Sequence, residues 1–513
     1  MSDRRERFAM GRALVLLAVV LLMVGCGPAP ITSGAPLEAF VAHLDAIVPA
    51  SLGSHDVPGA AVAVIRGGEV VWTGAYGLAD REVGRPMTAD AVFQTGSISK
   101  SVSSWGAMRL VEHGRVGLDD DLTGRLREAL PEAELPDGHP ITLRQVLSHT
   151  AGAGLGPIGF EYAPDGPVPS LRAALVRDLT FVRDPGTAFG YSNVGFDLVE
   201  LLIEEVSGRP FAAYMEEEVL RPLGMDGASF AWREVDRPRV PAGHDLRGTP
   251  VAPYVYATKA SGGLFATVGD VARFVAASVS ADRRPATDVL TVASVETLHE
   301  PVAPIGGVFG VVADAYALGH FVETLPDGRR AVWHGGQGNG WMTHFHAVPE
   351  AGDGIVILTN SQRSWPLISR VVRDWAAWSG AGAVKFGRIS AGAGVVWALV
   401  AVIAAVSVWA AARLVIAVHR GRRRFAPLAR AGSRRRALQG LVGFAALAAL
   451  AWRASQPYLI ETSVFPGVAG WLGWALAALA MVLTASAAFA PCAPPRRGGG
   501  LRYGRVGRGE RAP

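Results

Sequence analysis

Ser97-Ile98-Ser99-Lys100-Ser101-Val102-Ser103-Ser104-Trp105-Gly106-Ala107-Met108-Arg109-Leu110-Val111-Glu112-His113 carries the sharpest chemical signal in the chain. Val102, Trp105, Met108, Leu110 and Val111 recur at roughly helical spacing and Gly114 follows as a stop, which predicts a helix over residues 97–113. Residues three apart on a helix are neighbours, so the Lys100 amine can reach the Ser97 hydroxyl. A serine hydroxyl is a poor nucleophile until a base takes its proton. A lysine can be that base when desolvation or nearby positive potential lowers its pKa. The helix N-terminus supplies such potential and aims backbone N–H groups at the oxyanion formed when Ser97 attacks a carbonyl. The plain alternative is that Ser97 only caps the helix.

Two further clusters belong with this one. Tyr191-Ser192-Asn193 follows the turn-rich Asp184-Pro185-Gly186 and opens a second helix, expected over residues 194–206 and ended by Gly208. A phenol and an amide there can project into a cleft. His334-Gly335-Gly336 ends a strand near the C-terminal edge of the same region, where it can line that cleft. Only three lysines occur, Lys100, Lys259 and Lys385, so a serine three residues before a lysine is not a pattern this chain repeats by composition.

In these three motifs, in their order, and in flanking stretches such as residues 142–152 (Thr-Leu-Arg-Gln-Val-Leu-Ser-His-Thr-Ala-Gly) and 261–270, the chain resembles the β-lactamase-related serine hydrolases. That group includes class C β-lactamases, penicillin-binding proteins, D-aminopeptidases and esterases. The resemblance implies an acyl-enzyme on Ser97, with Lys100 and Tyr191 passing protons. It implies that Asn193 holds a substrate amide, that the backbone N–H groups of Ser97 and Gln337 form the oxyanion hole, and that His334 and Gly336 line the substrate site. The third motif departs from β-lactamases, which usually carry Lys-Thr-Gly there; His-Gly-Gly resembles the peptidase and esterase branches and removes a fixed positive charge.

Other residues read as structure. His149 is expected to be a hydrogen-bonding structural histidine. His344 and His346 alternate on a strand and, with His334, offer no acid or cysteine at metal-binding spacing, so strand-face histidines are the simpler reading and no metal or other cofactor is expected.

The ends of the chain are of another kind. Arg4, Arg5, Arg7 and Arg12 precede an apolar run over residues 13–25 and then Cys26, a signal peptide closing on a sequence similar to a lipobox, with Cys26 as the lipidated residue. Near the other end, apolar runs predict three transmembrane helices at about 391–413, 437–459 and 464–490. Eight arginines separate the first two, from Arg420 to Arg436, and six follow the third. Cytoplasmic placement of both basic segments puts residues 27–388 outside.

Net charge is +4, but residues 27–388 hold 29 Lys and Arg against 41 Asp and Glu. The basic balance is therefore a membrane-topology signal and excludes a nucleic-acid-binding stripe in the globular part. With only Cys26 and Cys492, a disulfide framework is excluded as well.

The expected architecture is α/β and β-lactamase/transpeptidase-like: an antiparallel sheet built from both ends of residues 27–388, helices packed on it, and a helical region inserted. Strands are expected over residues 60–65 and 69–74, joined across Gly67 and Gly68, and over 316–322, 331–334, 341–347 and 355–359. Residues 389–513 form the membrane part. The expected function is an extracytoplasmic, membrane-anchored serine hydrolase, taking a small-molecule or peptide substrate and contacting membrane lipid. A true β-lactamase or D,D-peptidase is the near alternative. An acylated sensor signalling through the membrane helices is the distant one, with no output domain visible. Oligomeric state is not legible.

Overall fold

Gly67 and Gly68 take φ values of 58° and 78°, the left-handed pair a two-residue hairpin turn requires. They join β1 (Gly59–Arg66) to β2 (Glu69–Asp80). The computed structural model describes residues 31–157, 160–279, 289–307, 309–427, 433–455 and 460–492. The expected signal peptide and Cys26 lie outside these. β3 (Arg85–Pro86) follows, and the remaining strands of the main sheet come from the far end of the domain: β4 (Ala303–Pro304), β5 (Ala315–Tyr316), β6 (Phe321–Thr324), β7 (Arg330–Gly338), β8 (Trp341–Val348) and β9 (Asp353–Thr359).

The spatial order is β3-β2-β1-β9-β8-β7-β6-β5-β4, antiparallel throughout. The two chain ends meet where β1 pairs with β9, Ala60 opposite Thr359 and Ile65 opposite Gly354. Both are central strands, which explains why β1 reads as an almost unbroken apolar run rather than an alternating one.

The strand period of two sorts this sheet into two cores. Ala60, Val62 and Val64 face α1 (Leu37–His55) and α5 (Trp365–Ser379), among Phe40, Leu44 and Trp375. Ala61, Ala63 and Ile65 face the inserted helical region, which includes α2 (Ile98–Glu112), α3 (Asn193–Ser207) and α4 (Val268–Ser278).

Helix α2 runs through the middle of that region, and its serines are buried along with its apolar residues. Each of those hydroxyls finds an acceptor: Ser99 to Gly96 O at 2.6 Å, Ser101 to Gly319 O at 2.6 Å, Ser103 to Ala260 O at 3.0 Å and Ser104 to Lys100 O at 2.9 Å. Buried hydroxyls without partners would cost about 1–3 kcal/mol each, so this polar helix is tolerable only because its neighbours supply carbonyls. The apolar spacing in the sequence found the helix and not its full burial.

Three expectations are corrected. The strand expected over residues 316–322 is two short strands, because residues 317–320 turn with Gly319 at φ 87°. The strand expected over 331–334 continues to Gly338, carrying the His-Gly-Gly motif inside it. The membrane helices also shift.

The described residues fall into two compact units, one holding Met1–Gly394 with Ile460–Pro466, the other Val395–Leu459 with Gly467–Pro513. Among the described residues, three helices are long and apolar enough to cross a membrane, Lys385–His419, Arg434–Ala454 and Val468–Ala488. The second begins earlier than expected and ends at Ala454 instead of 459. The third begins at Val468 instead of 464, since Gly467, at φ 82°, breaks it from α8 (Ile460–Val464). We name the three α6 (Arg388–His419), α7 (Ser433–Ala454) and α9 (Val468–Ala488). Within the second unit α7 and α9 approach closely at Gly443, where a Cβ would come within 2.4 Å of Thr484 Oγ1 and 2.8 Å of Ala480 O. Small residues at such a crossing are what packing between apolar helices favours.

Candidate active site

Gly96, at φ 56°, turns the chain into α2 so that Ser97 occupies the helix N-cap. The Ser97 side chain makes no capping bond, which leaves its hydroxyl for other partners and sets aside the plain capping reading. Lys100, one turn on, is fully buried. Its Nζ has three neighbours: Ser97 Oγ at 3.2 Å, Asn193 Oδ1 at 2.8 Å and the Ser261 carbonyl at 2.7 Å.

A neutral amine has two hydrogens and one lone pair. The two obligate acceptors take the hydrogens, so the lone pair is left for Ser97. Burial lowers the Lys100 pKa to about 7, against a smaller opposing pull from Asp197, so near neutral pH a large fraction of the amine is uncharged.

Tyr191 completes the cluster. Its hydroxyl hydrogen-bonds to Ser97, and burial raises its pKa more than that bond lowers it, so the phenol stays protonated at neutral pH. Lys100 Nζ lies 5.0 Å from the centre of the Tyr191 ring. His149 holds the Tyr191 loop from behind: the Ser192 N–H donates to His149 Nδ1 at 3.2 Å, the Gly190 N–H to the His149 carbonyl at 2.8 Å, and the His149 and Tyr191 rings lie 4.4 Å apart. His149 takes φ 59° to do this, a conformation few non-glycine residues adopt.

Strand β7 comes up beside Ser97 through two glycines. A Cβ on Gly336 would fall 1.8 Å from Thr95 O and 2.2 Å from Thr343 Oγ1, and one on Gly96 would fall 2.8 Å from the Gln337 nitrogen. Only glycine at both positions lets the backbone at Gln337 approach the start of α2. Gly336 thus sets a spacing instead of offering a surface. Gln337, together with Gly96, Ser97, Phe160, Asn193 and Asp197, lines an open cleft.

His334 is not on that lining. It is buried, 1% exposed, with Nε2 3.0 Å from the Tyr316 hydroxyl and Nδ1 2.8 Å from the Gly335 carbonyl. Burial, and then the positive charge of Lys100, lower its pKa well below the ordinary histidine value. The expectation that His334 meets substrate is therefore corrected to a place in the wall behind Tyr191, whose ring lies 6.3 Å away. His344 and His346 are fully buried strand residues, their rings 5.6 Å apart.

Sequence reasoning missed the Ser261 carbonyl as an acceptor in the site and Asp197 altogether. Ser261 is held in place by Glu200, a buried carboxylate that accepts the backbone N–H groups of Lys259 and Ala260. Asp197 lies one turn beyond Asn193 in a helix that also carries Glu200, Glu204 and Glu205, so nothing in the sequence singles it out. Burial and the neighbouring Glu200 raise its pKa to about 7.

Residues 39–379 match the family described as Beta-lactamase. Esterase EstB of Burkholderia gladioli is 33% identical over 229 residues, which cover 42% of this chain and 57% of that protein. The D-alanyl-D-alanine-carboxypeptidase/endopeptidase AmpH of Escherichia coli is 28% identical over 53% of this chain and 72% of its own length. The octameric penicillin-binding protein homologue from Pyrococcus abyssi superposes with a TM-score of 0.55 at 26% identity, over 65% of this chain and 77% of that one. The chain spans little more than half the length of EstB. With its matched region covering most of the sequence, the antiparallel sheet closed by both chain ends, and Ser97 and Lys100 at the head of the central helix, this chain belongs to the beta-lactamase family of serine hydrolases.

Proposed function

We propose that the protein is a membrane-anchored, extracytoplasmic hydrolase that cleaves an uncharged ester or amide, including one in a D-amino-acid peptide, through an acyl-enzyme on Ser97. The observation that carries this is the donor count at Lys100: two acceptors occupy its hydrogens and its lone pair is left for Ser97 Oγ. Neutral Lys100 takes the Ser97 proton as Oγ attacks the carbonyl carbon. The negative charge that develops on the carbonyl oxygen is met by the backbone N–H groups of Ser97 and Gln337. Tyr191, protonated at neutral pH, gives its proton to the leaving group and is reprotonated from Lys100. The leaving group departs, Ser97 is left as an ester, and a water then repeats the sequence in reverse roles.

Substrate charge follows from the third motif. A neutral, buried imidazole at His334 offers no cation to a substrate carboxylate, which favours neutral esters and amides over carboxylate-bearing β-lactams. The name of EstB, an esterase, agrees with the ester half of this range; that of AmpH, a D-alanyl-D-alanine-carboxypeptidase/endopeptidase, agrees with amide cleavage, though a carboxypeptidase substrate carries a terminal carboxylate. Placement outside the cytoplasm rests on the arginine-rich segments beside the three apolar helices, and an N-terminal lipid on Cys26 adds a second anchor. A panel of a neutral ester, a C-terminally amidated D-amino-acid peptide and a carboxylate-bearing β-lactam, run with wild type and Ser97→Ala, tests the reading. Hydrolysis of the ester or D-peptide should exceed that of the β-lactam and vanish in the variant. Equal hydrolysis by folded Ser97→Ala would falsify it.

A further inference from the structure

The short connection between the second and third apolar helices packs with the catalytic unit, at the edge of the cleft. Ile460–Pro466 belongs with the first compact unit although both flanking helices belong to the second. Within it Ser463 is fully buried, and its Oγ lies 3.4 Å from Gln337 Oε1. A hydroxyl both donates and accepts, so this contact is a hydrogen bond whichever way the Gln337 amide is turned.

Two neighbours keep the segment there. Val464 and Phe465 pack against the same buried cluster as Trp365 and Tyr191. The Phe465 ring also covers Gly392, where a Cβ would fall 3.1 Å from it. Helix α8 lies against α5, whose first residue is Trp365.

Gln337 lines the cleft, and its backbone nitrogen stands beside Gly96. Ser463 reaches it from outside residues 39–379, the part of the chain that the family covers.

We propose that Ile460–Pro466 is a working wall of the catalytic cleft, with Ser463 a positioning residue that fixes Gln337 and Phe465 the anchor that holds the segment in place. The membrane part then completes the enzyme as well as tethering it. This rests on the serine-hydrolase reading, since Gln337 matters here as an oxyanion donor. Contacts that strengthen as the oxyanion forms act on kcat more than on KM.

The test uses the full-length protein in membranes, with a neutral ester as substrate. Loss of one neutral hydrogen bond is worth roughly 3- to 10-fold, so Ser463→Ala should lower kcat by about that factor with KM changed less than about twofold. Ser463→Thr, which keeps the hydroxyl, should restore most of it. Phe465→Ala should lower kcat at least as far and speed hydrogen–deuterium exchange over residues 462–465. If Ser463→Ala and Phe465→Ala both keep kcat within about twofold of wild type while Ser97 is still acylated by a fluorophosphonate, the segment does not act on the site and the proposal is overturned. If wild-type Ser97 is not acylated at all, the hydrolase reading fails first and the proposal with it.

Discussion

Lys100 Nζ stands 3.2 Å from Ser97 Oγ with both of its other neighbours, Asn193 Oδ1 and Ser261 O, restricted to accepting hydrogen bonds. Protonation of Lys100 fills the position its lone pair needs. The Lys100 pKa is lowered by burial to about 7, so the base is present above that pH and lost below it. We expect kcat/KM for a neutral ester to fall on the acid side with a midpoint near pH 7. Lys100→Ala should lower it by about two to four orders of magnitude and abolish that limb. A flat profile from pH 5 to 8 in wild type would remove Lys100 as the base.

Tyr191 and Lys100 are not interchangeable as bases. Burial raises the Tyr191 pKa further from neutrality, so on the proposed reading its task is to donate. Tyr191→Phe should slow amides more than activated esters, because a phenolate or similar leaving group departs without a proton. Equal losses on both substrates would argue against proton donation by Tyr191.

His149 braces the Tyr191 loop from behind the cleft lining. Removing its ring leaves the Ser192 N–H without the Nδ1 acceptor and opens space beside Tyr191. His149→Ala should cost about 3 kcal/mol of stability, combining a lost buried acceptor with a cavity, and should lower kcat more than it raises KM. Unchanged kcat in a destabilised variant would make His149 purely structural.

His334 is where reading from sequence alone misleads most. A histidine standing in place of the usual lysine invites the expectation that substrate charge preference changes as pH falls through about 6.5. The ring is instead buried between Tyr316 and its own strand, with its pKa far lower. The preference for neutral over carboxylate-bearing substrates should therefore stay constant between pH 5 and 8, after correction for the Lys100 limb common to both. A ratio that narrows below pH 6.5 would show that His334 gains charge.

How much was legible divides along physical lines. The Ser97–Lys100 pair and the α2 and α3 helices are local in sequence, three-residue spacing and helix stops, and could be read directly. Tyr191 and Asn193 could be placed at the opening of a helix directly, and their roles only by resemblance. Ser261 contributes a backbone carbonyl, which no side-chain pattern reveals, and its position depends on Glu200 some sixty residues away. The turn at Gly319 and the return of Ile460–Pro466 to the first unit depend on tertiary packing. A hydropathy run cannot show that Val464 lies before a break at Gly467, because Val464 is as apolar as the helix that follows.

Topology has its own measurement. Alkaline phosphatase fused after Arg388 should be active, and fused after Arg430 inactive, since eight arginines lie from Arg420 to Arg436. The reverse pattern would place the catalytic unit in the cytoplasm. Cys26→Ala should abolish incorporation of a fatty-acid analogue while the protein remains membrane-bound through its C-terminal helices.

The most direct measurement is covalent labelling of the full-length protein in membranes with a fluorophosphonate, followed by peptide mapping. A single adduct on Ser97, absent from Ser97→Ala and forming more slowly as pH falls below about 7, is the predicted result. Absence of an adduct from folded wild-type protein, or an adduct on another residue that persists in Ser97→Ala, would contradict it.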